Sequence, residues 1–117
     1  MPRILVIDDD AAIRNLLRLV REDEGYEVTE AANGMEGLQR YQADPTDVVI
    51  TDLMMPGMDG LELMQALQRE TPPPVLMAMS GDQAALTQAR ELTPYTFAKP
   101  LPLEQILAAV RSLDLGR

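Results

Sequence analysis

The sequence predicts an α/β domain, a doubly wound parallel sheet of five strands with five flanking helices, filling residues 1–117 as one unit. Three observations predict it. Short apolar runs rich in Val and Ile alternate with segments of helical periodicity, the pattern of βαβ units whose strands are buried on both faces. At 117 residues with 46% hydrophobic side chains, the chain can bury one core and is too short for two. It has no cysteine, so that core forms without disulfides or a thiolate metal site.

Residues 3–8 (RILVID) form the first apolar run and end in the acidic turn Asp8–Asp10. From Ala11 to Glu24, Ile13, Leu16, Leu17 and Val20 recur at the spacing of one helix face, and Gly25 is placed to end that helix. YEVTEA (26–31) reads as the second strand and 34–42 as a short helix weakened by Gly37. DVVITD (47–52) is the third strand and again ends on an aspartate. A turn with Pro56, Gly57 and Gly60 leads to a helix over 61–70, with Leu63, Met64 and Leu67 on one side and Asp59 as its cap. Prolines 72–74 stop it. VLMAMS (75–80) is the fourth strand; Asp82 caps a short helix running to about Leu92, and YTFAK (95–99) is the fifth strand. In the last helix Leu103, Ile106, Leu107, Val110 and Leu113 share one stripe. The five methionines at 54, 55, 58, 77 and 79 read as core filler and loop packing.

With no histidine and no cysteine, imidazole bases, imidazole or thiolate metal sites and thiol nucleophiles are excluded. Chemistry must then rest on carboxylates, hydroxyls, lysine or a bound metal. A formal charge of −9 and a pI near 4.3 disfavour unspecific binding to nucleic acid or anionic lipid. The N-terminal apolar run is far too short for a signal peptide or a membrane span, so a cytoplasmic location is expected. In open parallel sheets ligands bind beyond the carboxyl ends of the strands. Those ends carry Asp8 and Asp9, Asp52, Ser80 and Lys99. Carboxylates crowded on one rim repel one another, and a hard divalent cation, Mg²⁺ by its taste for one or two carboxylates plus phosphate oxygen, relieves the repulsion. A carboxylate nucleophile, a metal, a lysine and a hydroxyl are together the parts of a phosphoryl-transfer site.

The segments VIDDD (6–10), VVITDLMMPGMDG (48–60), MSGD (79–82) and KP (99–100) resemble the receiver domain of two-component response regulators across essentially the whole chain. The resemblance implies a flavodoxin-like strand order 2-1-3-4-5. It implies Asp52 as phosphoacceptor, Asp9 as metal ligand, Asp8 as its neighbour holding metal-bound water, and the Met54 backbone carbonyl as a further metal ligand. Ser80 takes the part of the switch hydroxyl and Lys99 of its partner cation, with a cis Lys99–Pro100 bond and Gly81 keeping the approach to Asp52 open. The implied partners are a sensor histidine kinase or histidine phosphotransfer protein, and an effector domain or second copy at the face of the fourth helix, fifth strand and fifth helix. The expected role is a phosphorylation-dependent switch, not an enzyme in the turnover sense, in a stand-alone receiver or a piece of a larger regulator.

Departures from that pattern fall at 92–99. The position usually held by a switch aromatic is Thr96, flanked by Tyr95 and Phe97, and Pro94 stands where small residues are common. They leave open a scaffold that acts by protein contacts without phosphorylation. The D-x-D spacing of Asp8 and Asp10 leaves open a carboxylate-nucleophile phosphatase, although Ala11 and Ala12 lack its continuation.

Overall fold

A computed structural model describes residues 3–11, 14, 15, 25–55, 57–99 and 103–113. Its strands are β1 (Arg3–Ile7), β2 (Glu27–Ala31), β3 (Val48–Asp52), β4 (Val75–Ser80) and β5 (Tyr95–Ala98). All neighbours pair in parallel, in the order β2-β1-β3-β4-β5. Four helices are seen among the described residues: α1 (Gly34–Ala43), α2 (Gly60–Gln68), α3 (Gln83–Ala89) and α4 (Leu103–Ser112). The helix expected at 11–24 lies largely outside the described residues, as does the expected cis bond to Pro100. The Arg14 amide nevertheless donates to the Asp10 carbonyl at 3.2 Å, one helical turn back.

The continuous apolar runs are explained by two cores, one on each face of the sheet. Along β3 every residue is buried, and alternate side chains serve opposite faces. Val49 joins Leu5, Ile7, Leu63 and Leu67 in one cluster. Val48 and Ile50 join Ile4, Val6, Ile106 and Val110 in the other. Leu63, Met64 and Leu67 of α2 are fully shielded from water, each burial contributing about 1.5–3 kcal/mol. On α4, Ile106 and Val110 are buried as the stripe predicts, with Ala109 and Leu113 packed beside them.

Helix ends follow their caps. Asp59 and Asp82 accept the Glu62 and Ala84 amides, both at 2.9 Å, and Asn33 caps α1 by accepting from Glu36 at 2.8 Å. Helix α3 stops at Ala89 rather than near Leu92. There the Leu92 and Thr93 amides both turn back to the Ala89 carbonyl, and the buried Thr93 hydroxyl donates to the Leu76 carbonyl at 2.6 Å. Gly37, a weak helix former by propensity, is favoured by packing. A Cβ there would lie 2.4 Å from Ile7 Cδ1, so a larger residue would force the buried Ile7 side chain to shift.

Candidate functional site

Parallel register brings the strand ends level. Ile7 pairs with Thr51, Asp52 with Met79 and Ser80 with Ala98, so Asp8, Asp52, Ser80 and Lys99 stand on one rim. The Asp8 side chain is fully buried and Asp52 is 5% exposed, whereas Asp9 is open to solvent. One carboxylate oxygen from each of these three aspartates falls within 4.8 Å of the others.

The Lys99 ammonium bridges the two buried members, 3.3 Å from Asp8 Oδ2 and 3.2 Å from Asp52 Oδ2. The other Asp8 oxygen accepts the Asp10 amide at 2.9 Å, and the other Asp52 oxygen accepts the Met54 amide at 3.2 Å. Burial pushes the Asp8 carboxyl above the usual aspartate value, and the nearby Asp52 charge adds to the rise, against the opposing pull of the Asp10 amide and Lys99. Burial alone would lower the Lys99 ammonium, but the Asp52 and Asp8 charges outweigh it and hold it above its ordinary value. The lysine is therefore a fixed cation, and the rim retains an excess of negative charge.

The loop after Asp52 is shaped by a close approach. The Gly60 amide donates to the Leu53 carbonyl at 3.1 Å, and a Cβ on Gly60 would lie 2.4 Å from the Asp52 carbonyl oxygen. Only glycine lets the start of α2 close over the end of β3.

Ser80 is fully buried at the end of β4, and its hydroxyl oxygen accepts the Asp82 amide at 3.0 Å. The structure thus gathers Asp8, Asp9, Asp52 and Lys99 into one cluster and puts Ser80 on the same rim with its hydroxyl engaged by the next loop. Arg14 belongs to this neighbourhood and was not singled out from sequence. Its guanidinium donates to the Asp8 carbonyl at 2.7 Å and lies 3.2 Å from Glu30, fixing the turn that presents Asp8 and Asp9. Its one signal in the chain is its place four residues after Asp10.

In β5, Tyr95 and Phe97 pack against the Ile106–Val110 core, and strand alternation turns Thr96 to the opposite face. Ser80 lies in register with Leu76 and Ala78, which belong to the core on that opposite face. Neither aromatic of β5 therefore stands behind the Ser80 hydroxyl.

Comparison with known proteins agrees with this arrangement. The family model for the response regulator receiver domain matches residues 4–111. Sporulation initiation phosphotransferase F of Bacillus subtilis is 35% identical over 112 residues, covering 93% of this chain and 90% of that protein. Transcriptional regulatory protein ResD of the same organism is 35% identical over 95% of this chain, which spans only 47% of its length. Among solved structures, the response regulator TrrA of Thermotoga maritima, in complex with Mg²⁺–BeF, superposes with a TM-score of 0.85 at 28% identity, covering 95% of this chain and 97% of that one. A receiver domain from Clostridium thermocellum gives 0.84 at 28% identity, covering 95% and 92%. Matched along nearly its whole length and in its strand order, the chain belongs to the response regulator receiver family.

Proposed function

We propose that Asp52 is the phosphoacceptor of this receiver and that phosphorylation there switches its contacts with partners. The carrying observation is the Lys99 ammonium held between Asp8 and Asp52 beside a third carboxylate, Asp9. In the transfer, an Asp52 carboxylate oxygen attacks phosphorus as the bond from phosphorus to the donor breaks. The donor is the phosphohistidine of a sensor kinase or phosphotransfer protein, or a small phosphodonor; this chain has no histidine of its own. Lys99 is placed to offset charge on the transferred group. Ser80 supplies a hydroxyl to it after giving up the Asp82 amide.

The donor set fits Mg²⁺. All three side chains offer hard oxygen, one is exposed enough to admit a hydrated ion, and three carboxylates share the rim with the single Lys99 ammonium. Asp8, Asp9, Asp52 and the Met54 carbonyl would hold it, and when bound it would screen the phosphoryl oxygens. The Mg²⁺–BeF complex of the TrrA neighbour supports that choice. A Cβ on Gly81 would meet nothing within 4 Å, so packing does not demand glycine there and access to Asp52 is the better reason for it.

The chain acts as a switch that carries one phosphoryl group at a time, not as an enzyme in the turnover sense. Among the described residues no helix is long and apolar enough to cross a membrane, and we place the domain in the cytoplasm with its phosphodonors. Its output face comprises α3, β5 and α4, toward an effector domain or a second copy. Since Thr96 offers no ring, that face is coupled to Ser80 through the loop 80–82 rather than through an aromatic rotamer.

The test is incubation with Mg²⁺ and acetyl phosphate, followed by intact-mass measurement. One labile phosphoryl adduct is expected, absent in Asp52→Asn and in chelator. No adduct from either acetyl phosphate or a cognate kinase, with Mg²⁺ binding intact, would point to the scaffold role.

A further inference from the structure

Beside the site runs a cleft of about 630 Å³ between the loop that follows β3 and helix α3. Its walls are mixed, with Leu53, Met55 and Leu61 on one side, Ala85 on the other, and Asp59, Asp82 and Gln88 among the lining residues. Met54 lines it too and is 57% exposed, an exception to the reading of the methionines as core and loop packing. Asp59 and Asp82 stand at its edges, and its described lining residues include no lysine or arginine.

We propose that this cleft docks a cationic amphipathic helix of a partner protein. Charge selects the cation. The two edge aspartates, in a chain of net charge −9, repel an acidic or phosphate-bearing occupant and a second copy of this chain alike. Topology selects the helix. The strands beneath the cleft, β3 and β4, are both interior strands of the sheet and have no free backbone edge to pair with an extended segment. An occupant must therefore satisfy its own backbone hydrogen bonds and be recognised by side chains alone. An exposed, flexible methionine at the mouth suits apolar anchors of varied shape.

The cleft is also wired to the phosphorylation site. Asp82 lines it, caps α3 through the Ala84 amide, and donates its own amide to the Ser80 hydroxyl. If Ser80 turns to a phosphoryl group on Asp52, the Asp82 amide loses that acceptor and the α3 wall is less firmly held. A less preorganised wall binds more weakly, so occupancy of the cleft and phosphorylation oppose each other, reciprocally. This coupling rests on Asp52 being the phosphoacceptor; the docking itself does not.

The experiment titrates the ¹⁵N-labelled full chain with a synthetic amphipathic helix of leucine and lysine. A leucine–glutamate analogue and an oligolysine of equal charge serve as controls. Shifts centred on Met54, Leu61, Ala84 and Gln88 are expected with the first peptide alone, with affinity falling at least tenfold in Ala84→Lys/Gln88→Lys, two exposed positions. Shifts centred elsewhere, or equal binding by oligolysine, overturn the docking. Adding Mg²⁺ and beryllofluoride should then weaken the peptide at least threefold in the wild type and not in Ser80→Ala. Unchanged or tighter binding, with beryllofluoride visibly perturbing Asp52, overturns the coupling. If beryllofluoride perturbs nothing near Asp52, the phosphoacceptor reading fails instead, while the docking result stands by itself.

Discussion

Lys99 reaches back across the sheet to place its ammonium 3.2 Å from Asp52 Oδ2, and the same nitrogen lies 3.3 Å from the fully buried Asp8. Two anions that would otherwise repel share one cation at the carboxyl end of a parallel sheet. Lys99→Met removes that cation and leaves both carboxylates facing each other. Stability at neutral pH should fall by about 1–3 kcal/mol, the range for an abandoned, largely buried charge partner. Phosphorylation by acetyl phosphate should slow about 10²-fold, the loss typical of one fixed electrostatic stabiliser. Urea unfolding and adduct formation followed by mass check the two effects separately.

Asp52→Asn should abolish the adduct yet make the metal-free protein more stable. The Asp52 charge is one cause of the raised Asp8 carboxyl, and removing it relieves that repulsion. A gain of about 1 kcal/mol, a few degrees in Tm, is expected in chelator. Added Mg²⁺ should stabilise the wild type and leave the variant nearly unmoved. Thermal melts of both proteins with chelator and with Mg²⁺ test this, and a variant less stable than wild type in chelator contradicts it.

The raised Asp8 carboxyl sets a pH dependence of definite sign. Its folded-state value lies above the ordinary aspartate value of 3.8, so the native protein binds that proton more tightly than the unfolded chain. The metal-free wild type therefore loses stability relative to Asp8→Asn as pH rises from about 3.8 through the elevated folded value, and the difference is constant above it. Mg²⁺ binding runs the other way, weakening as pH falls into the same window, because proton and metal compete for one carboxylate. Urea midpoints across the acid range, with and without chelator, give both trends.

Gly60→Ala should damage the site from outside it. The added methyl would press on the Asp52 carbonyl oxygen and, at 2.6 Å, on Leu53 Cα, both backbone atoms with little room to move. A cost of about 1–3 kcal/mol is expected for such overpacking, together with slower phosphorylation from a displaced Asp52. Wild-type rates in a variant of unchanged stability would show that the loop absorbs the methyl and that the close approach is unimportant.

Much of the molecule is legible in the chain because its signals are local. Strand and helix differ in period, so RILVID and DVVITD read as doubly buried strands, and Leu63, Met64 and Leu67 as one helix face, without knowledge of any partner. Asp59 and Asp82 announce helix starts by chemistry confined to three residues. Gly37 shows where local reading misleads: its propensity counts against the helix, while the missing side chain leaves room for Ile7 beneath it.

By itself, then, the sequence determined the alternation of elements, the absence of imidazole and thiol chemistry, and the strand ends on which the polar residues fall. Tertiary structure decided what those residues are to one another. Asp8 and Asp9 are neighbours in the chain, yet one is sealed in and the other open to water. Arg14 gained its role by reaching the Asp8 carbonyl, and Thr96 ended on the face away from Tyr95 and Phe97. The physical reason is range. Periodicity and capping act over a few residues, whereas the meeting of Lys99 with Asp8 spans 91 positions and exists only once parallel pairing has set the strands in register.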